Sequence, residues 1–139
     1  MVSFEKVIRK LQQLDEYLDI LRIISQTSRE TFLKDKIVIG SAKYYLQVSI
    51  ECCLDVANHI IASEKFRAPT DYSDSFMVIQ EEGIISNKLG EKLRQMAKFR
   101  NRLVHLYGEI DDTYIFEYII GELKDFSEFK SIIIKRYKT

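Results

Sequence analysis

The sequence is poor in residues that break helices. One proline and five glycines in 139 residues are too few to turn the many hairpins of a β-sandwich or barrel. No apolar run approaches the ~18 residues that a membrane span requires. The first residues, Met1-Val2-Ser3-Phe4-Glu5-Lys6, do not follow the basic-then-apolar layout of a secretory signal. The only cysteines, Cys52 and Cys53, are adjacent within an apolar stretch. Neighbouring thiols do not readily bridge each other, and no CxxC spacing offers a metal site. They read as small core residues of a reduced, cytoplasmic protein. Net charge is also missing: 21 Lys and Arg balance 21 Asp and Glu. A zero sum argues against a histone-like protein or an acidic tail, but it hides how charge is distributed.

What is present is an ordinary globular composition, 46% hydrophobic and 30% charged. The length predicts one domain over 1–139. In the first segment, about 4–25, Phe4, Val7, Leu11, Leu14, Leu18 and Leu21 repeat every three or four residues. That is the seam of an amphipathic helix, with Ser3 as its N-cap. The second segment, about 35–66, is apolar around most of its circumference, which predicts a helix at the centre of a bundle. Its one polar stripe is Lys43, Gln47, Glu51, Asp55 and His59. Asp55 and His59 have a spacing that can bind metal or orient an imidazole, or the stripe can line a cleft. A regular stripe is more simply a solvated face, and none of its residues is assigned to the site.

Pro69 interrupts the pattern, and 67–85 reads as a connector with a short helix at 74–82 ended by Gly83. A third long helix is expected from 86 to about 107, capped by Ser86 and closed by Gly108. Its seam is Leu89, Leu93, Met96, Arg100, Leu103 and Tyr107. A last helix is expected over about 112–137, with Asp111 and Asp112 favourably placed at its start. Ser131–Thr139, with three consecutive isoleucines, also fits a strand on propensity. Four long helices with short connections define an all-α, antiparallel four-to-five-helix bundle.

Charge is segregated. Residues 88–102 hold Lys88, Lys92, Arg94, Lys98, Arg100 and Arg102 against Glu91, a local charge of +5. Residues 109–128 hold seven acids against Lys124, a local charge of −6. The basic stretch suits a polyanion or a solvated face. Arg100 occupies a seam position, where a guanidinium is costly unless paired or in a wet cleft. His105 follows five residues later, about 140° round an ideal helix, and Tyr107 seven residues later, about 20° round. Arg, His and Tyr at one helix end can form a phosphate site. The same residues can equally be a paired arginine and a satisfied core histidine. If the first reading holds, Arg100 and His105 converge through unwinding at Gly108 or by pooling across a two-fold axis.

Phe99-Arg100-Asn101-Arg102-Leu103-Val104-His105-Leu106-Tyr107 resembles the Arg-x4-His-x-Tyr motif of HEPN-domain proteins, specifically the HepT toxin family. Pro69-Thr70-Asp71-Tyr72 with Phe76, Glu82-Gly83-Ile84-Ile85 and Leu93-x-x-Met96-x-x-Phe99 precede it as in that family, and Ile110-Asp111 follow. With the first two helices, the resemblance spans nearly the whole chain. It implies a HEPN-like homodimer and a metal-independent endoribonuclease, the toxin of a type VII toxin–antitoxin pair. It implies Arg100 and His105 as the catalytic pair, with Asn101, Arg102 and Lys98 as phosphate contacts. Tyr107 matches the tyrosine that a minimal nucleotidyltransferase antitoxin (MntA) modifies with AMP. The expected partners are a second copy, that antitoxin and RNA, with no membrane, metal or cofactor. Two other readings fit the same residues. One is a non-catalytic helical module that holds a nucleotidyltransferase, a nucleotide or RNA. The other is a structural adaptor.

Overall fold

A computed structural model describes residues 1–138. Among the described residues there are seven α-helices, a single 3-10 turn and no strand. They are α1 (Phe4–Ser25), α2 (Arg29–Lys34), α3 (Lys36–Glu64), α4 (Tyr72–Glu81), α5 (Asn87–His105), α6 (Asp112–Gly121) and α7 (Leu123–Tyr137), with the 3-10 turn at Tyr107–Glu109. No helix among the described residues is long and apolar enough to cross a membrane.

The α1 seam is buried as its spacing requires: Val7, Leu11, Leu14, Leu18 and Leu21 are almost wholly inaccessible. Each such leucine contributes about 1.5–3 kcal/mol of burial. Ser3 caps the helix by accepting the Lys6 amide at 3.3 Å. α3 runs through the centre and packs against all six other helices. Asp35 starts it by accepting the Ile37 and Val38 amides. It ends at Glu64, where Lys65 turns left-handed at φ 58°. Cys52 and Cys53 are free and buried in its apolar wall, and burial pushes the Cys52 thiol up to about 11.

Three expectations are corrected. First, the segment between α1 and α3 holds a six-residue helix, α2, that the periodicity did not show. Ser28 caps it, and Phe32 anchors it 5.0 Å from the Phe116 ring. Second, the single helix expected over 112–137 is two. The break falls at Gly121–Glu122, where glycine offers the least resistance to leaving the helix. Ile115 and Ile119 of α6 and Phe126, Phe129 and Ile133 of α7 are all buried in the core. The isoleucine run lies in α7, so 131–137 is helical and not a strand; Thr139 lies outside the described residues. Third, α4 starts two residues before the expected position, at Tyr72, because Asp71 caps it through the Asp74 amide.

The site is positioned by α4 and α5. Gly83 closes α4 with a left-handed φ of 74°, which glycine alone adopts without strain. Ser86 then caps α5 through the Leu89 amide at 3.1 Å. Gly90 lets the two helices approach: a methyl group there would run into the Gln80 side chain. Arg94 crosses the same contact to Gln80 and Met77. Arg67 locks the preceding loop to α4 through a bidentate pair with Asp74 (2.7 and 2.9 Å) and hydrogen bonds to Glu81. The guanidinium holds the Asp74 carboxyl well below the usual carboxylate range.

Candidate active-site cleft

α5 ends at His105, and the chain leaves the helix at Leu106 (φ −127°, ψ 33°). On the last turn and a half, Arg100, Asn101, Val104 and His105 face a cleft of about 680 Å³. Its other wall comes from Asn58 of α3 and from Pro69, Thr70, Asp71, Tyr72 and Ser75 at the start of α4. The 140° between Arg100 and His105 is real, but these four residues fill that sector continuously, and the cleft is broad enough to take all of it. Neither unwinding at Gly108 nor a second chain is needed to bring Arg100 and His105 to one cleft. Gly108 lies beyond the helix and keeps an ordinary φ.

Arg100 is fixed on three sides. Its Nη2 and Nε donate to Glu51 Oε2 at 2.7 and 2.9 Å. Its Nη1 donates to Asn101 Oδ1 at 3.4 Å. The guanidinium carbon lies 4.9 Å from the centre of the Tyr72 ring, within cation–π range. The two sequence alternatives for Arg100 are therefore both present: it is paired with a carboxylate, and it lines a cleft. Glu51 is the residue that sequence reasoning missed. Its place in a regular polar stripe makes it look like part of a solvated face.

Apart from the exposed Asp55, the stripe is not a solvated face. Lys43 is buried, with only 6% of its surface exposed. Its Nζ donates to the Tyr107 carbonyl at 3.1 Å and lies 3.3 Å from Asp112. Gln47 donates to Glu51 at 3.3 Å. Asp55 pairs with Lys10 of α1 at 3.1 Å. His59 Nε2 accepts the Ser3 amide at 3.0 Å, so that nitrogen carries no proton. Desolvation, Lys6 and the N-terminus lower the His59 pKa. The stripe is a row of contacts tying α3 to its neighbours, and it brings no metal-ligand set together: no such cluster of His, Cys, Asp and Glu occurs among the described residues.

Tyr107 is placed differently from expectation. Because the helix stops before it, Tyr107 leaves the Arg100 face. It packs beside the start of α3, with Lys43 Nζ 4.6 Å from its ring centre. Its hydroxyl lies 3.4 Å from where a Cβ on Gly40 would stand. The side chain is still half exposed. Lys98 and Arg102 are exposed on the outer side of α5 and do not line the cleft; Arg102 leans toward Tyr114, 5.9 Å from its ring centre. Among other tyrosines of α3 and α6, Tyr118 is buried, Tyr45 half-buried, and Tyr44 and Tyr114 are exposed.

An all-helical bundle whose basic helix presents Arg-x4-His to an open cleft is a HEPN-type domain. Comparison with known proteins narrows the class. The family described as "Ribonuclease HepT-like" matches residues 14–133, and the chain belongs to that family. The mRNA nuclease HepT of Shewanella oneidensis is 28% identical over 133 residues, covering 96% of this chain and 92% of that protein. The tRNA nuclease HepT of Aphanizomenon flos-aquae is 25% identical over 128 residues, covering 91% and 87%. A crystal structure of a toxin–antitoxin with AMP-PNP contains a chain that superposes with a TM-score of 0.87 at 25% identity, covering 93% of this chain and 97% of that one. The tri-AMPylated Shewanella oneidensis HEPN toxin, in complex with MNT antitoxin, superposes with a TM-score of 0.86 at 26% identity, covering 93% and 96%.

Proposed function

We propose that this chain is the ribonuclease toxin of a toxin–antitoxin pair, a metal-independent endoribonuclease acting in the cytoplasm as a single helical domain over 1–139. The observation that carries the reading is the convergence of Arg100 and His105 on one open cleft in a chain of the HepT-like family. The RNA 2′-OH attacks the adjacent phosphorus, and the bond to the 5′-oxygen breaks. His105 takes the 2′ proton or delivers one to the leaving oxygen. Arg100, oriented by Glu51, stabilises the added negative charge of the pentacoordinate state. The products are a 2′,3′-cyclic phosphate and a 5′-hydroxyl. Asn101 holds the phosphate from inside the cleft, while Lys98 and Arg102 meet the RNA backbone on the outer side of α5.

In this reading a homodimer adds a second Arg–His pair to the one that each chain already brings to its cleft. Val104 and Leu106 leave apolar surface exposed beside His105, where a second copy can bring its own Arg100 and His105. The second partner is a nucleotidyltransferase antitoxin, as in the complexes of the structural relatives. It transfers AMP from ATP to the hydroxyl of the half-exposed Tyr107 and releases pyrophosphate. That adds negative charge and bulk at the end of α5 and disfavours an incoming phosphate. The decisive experiment is RNA cleavage in EDTA. Wild type cleaves, and His105→Ala and Arg100→Ala lose about 10²- to 10⁴-fold. Equal cleavage by all three proteins sinks the reading. Tyr107→Phe keeps cleaving after treatment with a cognate nucleotidyltransferase antitoxin and ATP.

A further inference from the structure

The motif Pro69-Thr70-Asp71-Tyr72 has no role in the chemistry above, yet it forms the wall of the cleft opposite α5. The two walls differ in what they can bind. The α5 wall offers Arg100 and His105, which suit a phosphate. The facing wall offers a carboxylate, a ring and an amide. Asp71 accepts the Asp74 amide at 2.7 Å through Oδ1, and its exposed carboxylate repels a phosphate on that side. Tyr72 lies against the Arg100 guanidinium and still has 45% of its surface exposed. Asn58 is oriented: the buried Ser75 hydroxyl donates to its Oδ1 at 2.7 Å. With the oxygen engaged, the Asn58 Nδ2 hydrogens are left for a cleft occupant.

We infer that Tyr72 and Asn58 form a nucleobase subsite, in which an unpaired base next to the scissile phosphate stacks on the Tyr72 ring and accepts a hydrogen bond from Asn58. This rests on the ribonuclease reading, and it adds that the enzyme selects its cleavage position by a base and requires single-stranded RNA there. Stacking suits this place because every base has a π-face. The Asn58 donor favours a base that turns a ring nitrogen or carbonyl acceptor toward it. Replacing that donor by a carboxylate reverses the preference to a base offering an amine.

The test uses a single-stranded RNA with one mapped cleavage site, and the same RNA with an abasic ribonucleotide at each flanking position in turn. At one flanking position, wild type cleaves the base-bearing RNA about 5- to 150-fold faster in kcat/KM, the range that one stacked base provides. Tyr72→Leu collapses that ratio toward one, and Tyr72→Phe, which keeps the ring, restores it. Asn58→Asp changes the rank order of the four bases at the same position. If Tyr72→Leu slows base-bearing and abasic RNA by the same factor, Tyr72 only props Arg100 and the subsite is refuted. An unchanged base order in Asn58→Asp refutes the role of Asn58. If wild type cleaves no RNA, the ribonuclease reading fails on its own. The subsite is then judged by fluorescence anisotropy with His105→Ala: tighter binding of base-bearing than abasic RNA, lost in Tyr72→Leu, supports it, and equal binding overturns it.

Discussion

Breaking the Glu51–Arg100 pair tests the central contact of the cleft. The Glu51 carboxylate receives two charge-assisted hydrogen bonds from Arg100, at 2.7 and 2.9 Å. The side chains retain 17% exposure for Arg100 and 30% for Glu51. Two unit charges 4 Å apart attract by about 4 kcal/mol at an effective dielectric of 20. Desolvation and the ordering of two long side chains offset a large part of that, so the net coupling is about 1–3 kcal/mol. Glu51→Gln keeps the shape and removes the charge; Arg100→Met keeps the stem and removes the guanidinium. Each single variant leaves a half-buried charge without its partner, and the double variant leaves none. The double variant is therefore more stable than the sum of the single losses requires, by that same coupling. Urea unfolding followed by far-UV circular dichroism, at constant m-value, measures the cycle. For a chain of this length each kcal/mol corresponds to a shift of roughly 3–4 °C in Tm. Additivity within about 0.5 kcal/mol would show that the two side chains do not interact, and the orientation of Arg100 by Glu51 would be withdrawn.

Lys43→Met leaves the Tyr107 carbonyl and Asp112 without their buried cation. It costs about 1–3 kcal/mol, and amide exchange over 107–113 accelerates; unchanged exchange contradicts the tether. Asp125 is buried beside Glu122, and desolvation followed by Glu122 raises its pKa. Its charged form is disfavoured in the fold, so stability held below the unfolded carboxyl pKa is lost as pH rises through the folded one. Asp125→Asn therefore raises Tm at pH 7, and the gain disappears below about pH 4; a loss at pH 7 refutes the sign. His59 has a lowered pKa, with burial as the largest cause. An unfolded histidine takes up a proton near pH 6.5, so stability present above that value falls as pH drops through the folded pKa. Thermal melts between pH 7.5 and 5.5 show the decline in wild type, and His59→Gln flattens it.

The parts of the fold legible in the sequence are those governed by local periodicity and caps. The α1 seam, the all-round apolar α3, the Ser3 and Ser86 caps and the Gly83 stop each depend on residues within one or two turns. α2 was not legible, because six residues with one buried side chain carry no period. The break at Gly121 was hidden for the opposite reason. Apolar residues continue on both sides of it, and the pattern does not register the interruption between α6 and α7. The rotation that puts Tyr107 on the Arg100 face holds only as far as the helix lasts, and α5 ends at His105.

The polar stripe of α3 shows why half of the site stayed out of sight. A row of polar residues every four positions looks the same whether it faces water or other helices. What decides is whether neighbouring elements supply complementary groups, and those lie far away in sequence: Lys10 for Asp55, Ser3 for His59, Asp112 for Lys43, Arg100 for Glu51. One signal was nonetheless available. An arginine on the seam of α5 needs a carboxylate on whatever it packs against. The most apolar helix is the natural occupant of that position, and its middle carries only two acids, Glu51 and Asp55. Treating the misplaced arginine and the out-of-character acids as one problem would have paired α5 with α3. That pairing places Arg100 over Tyr72 with His105 at the other edge of the same cleft.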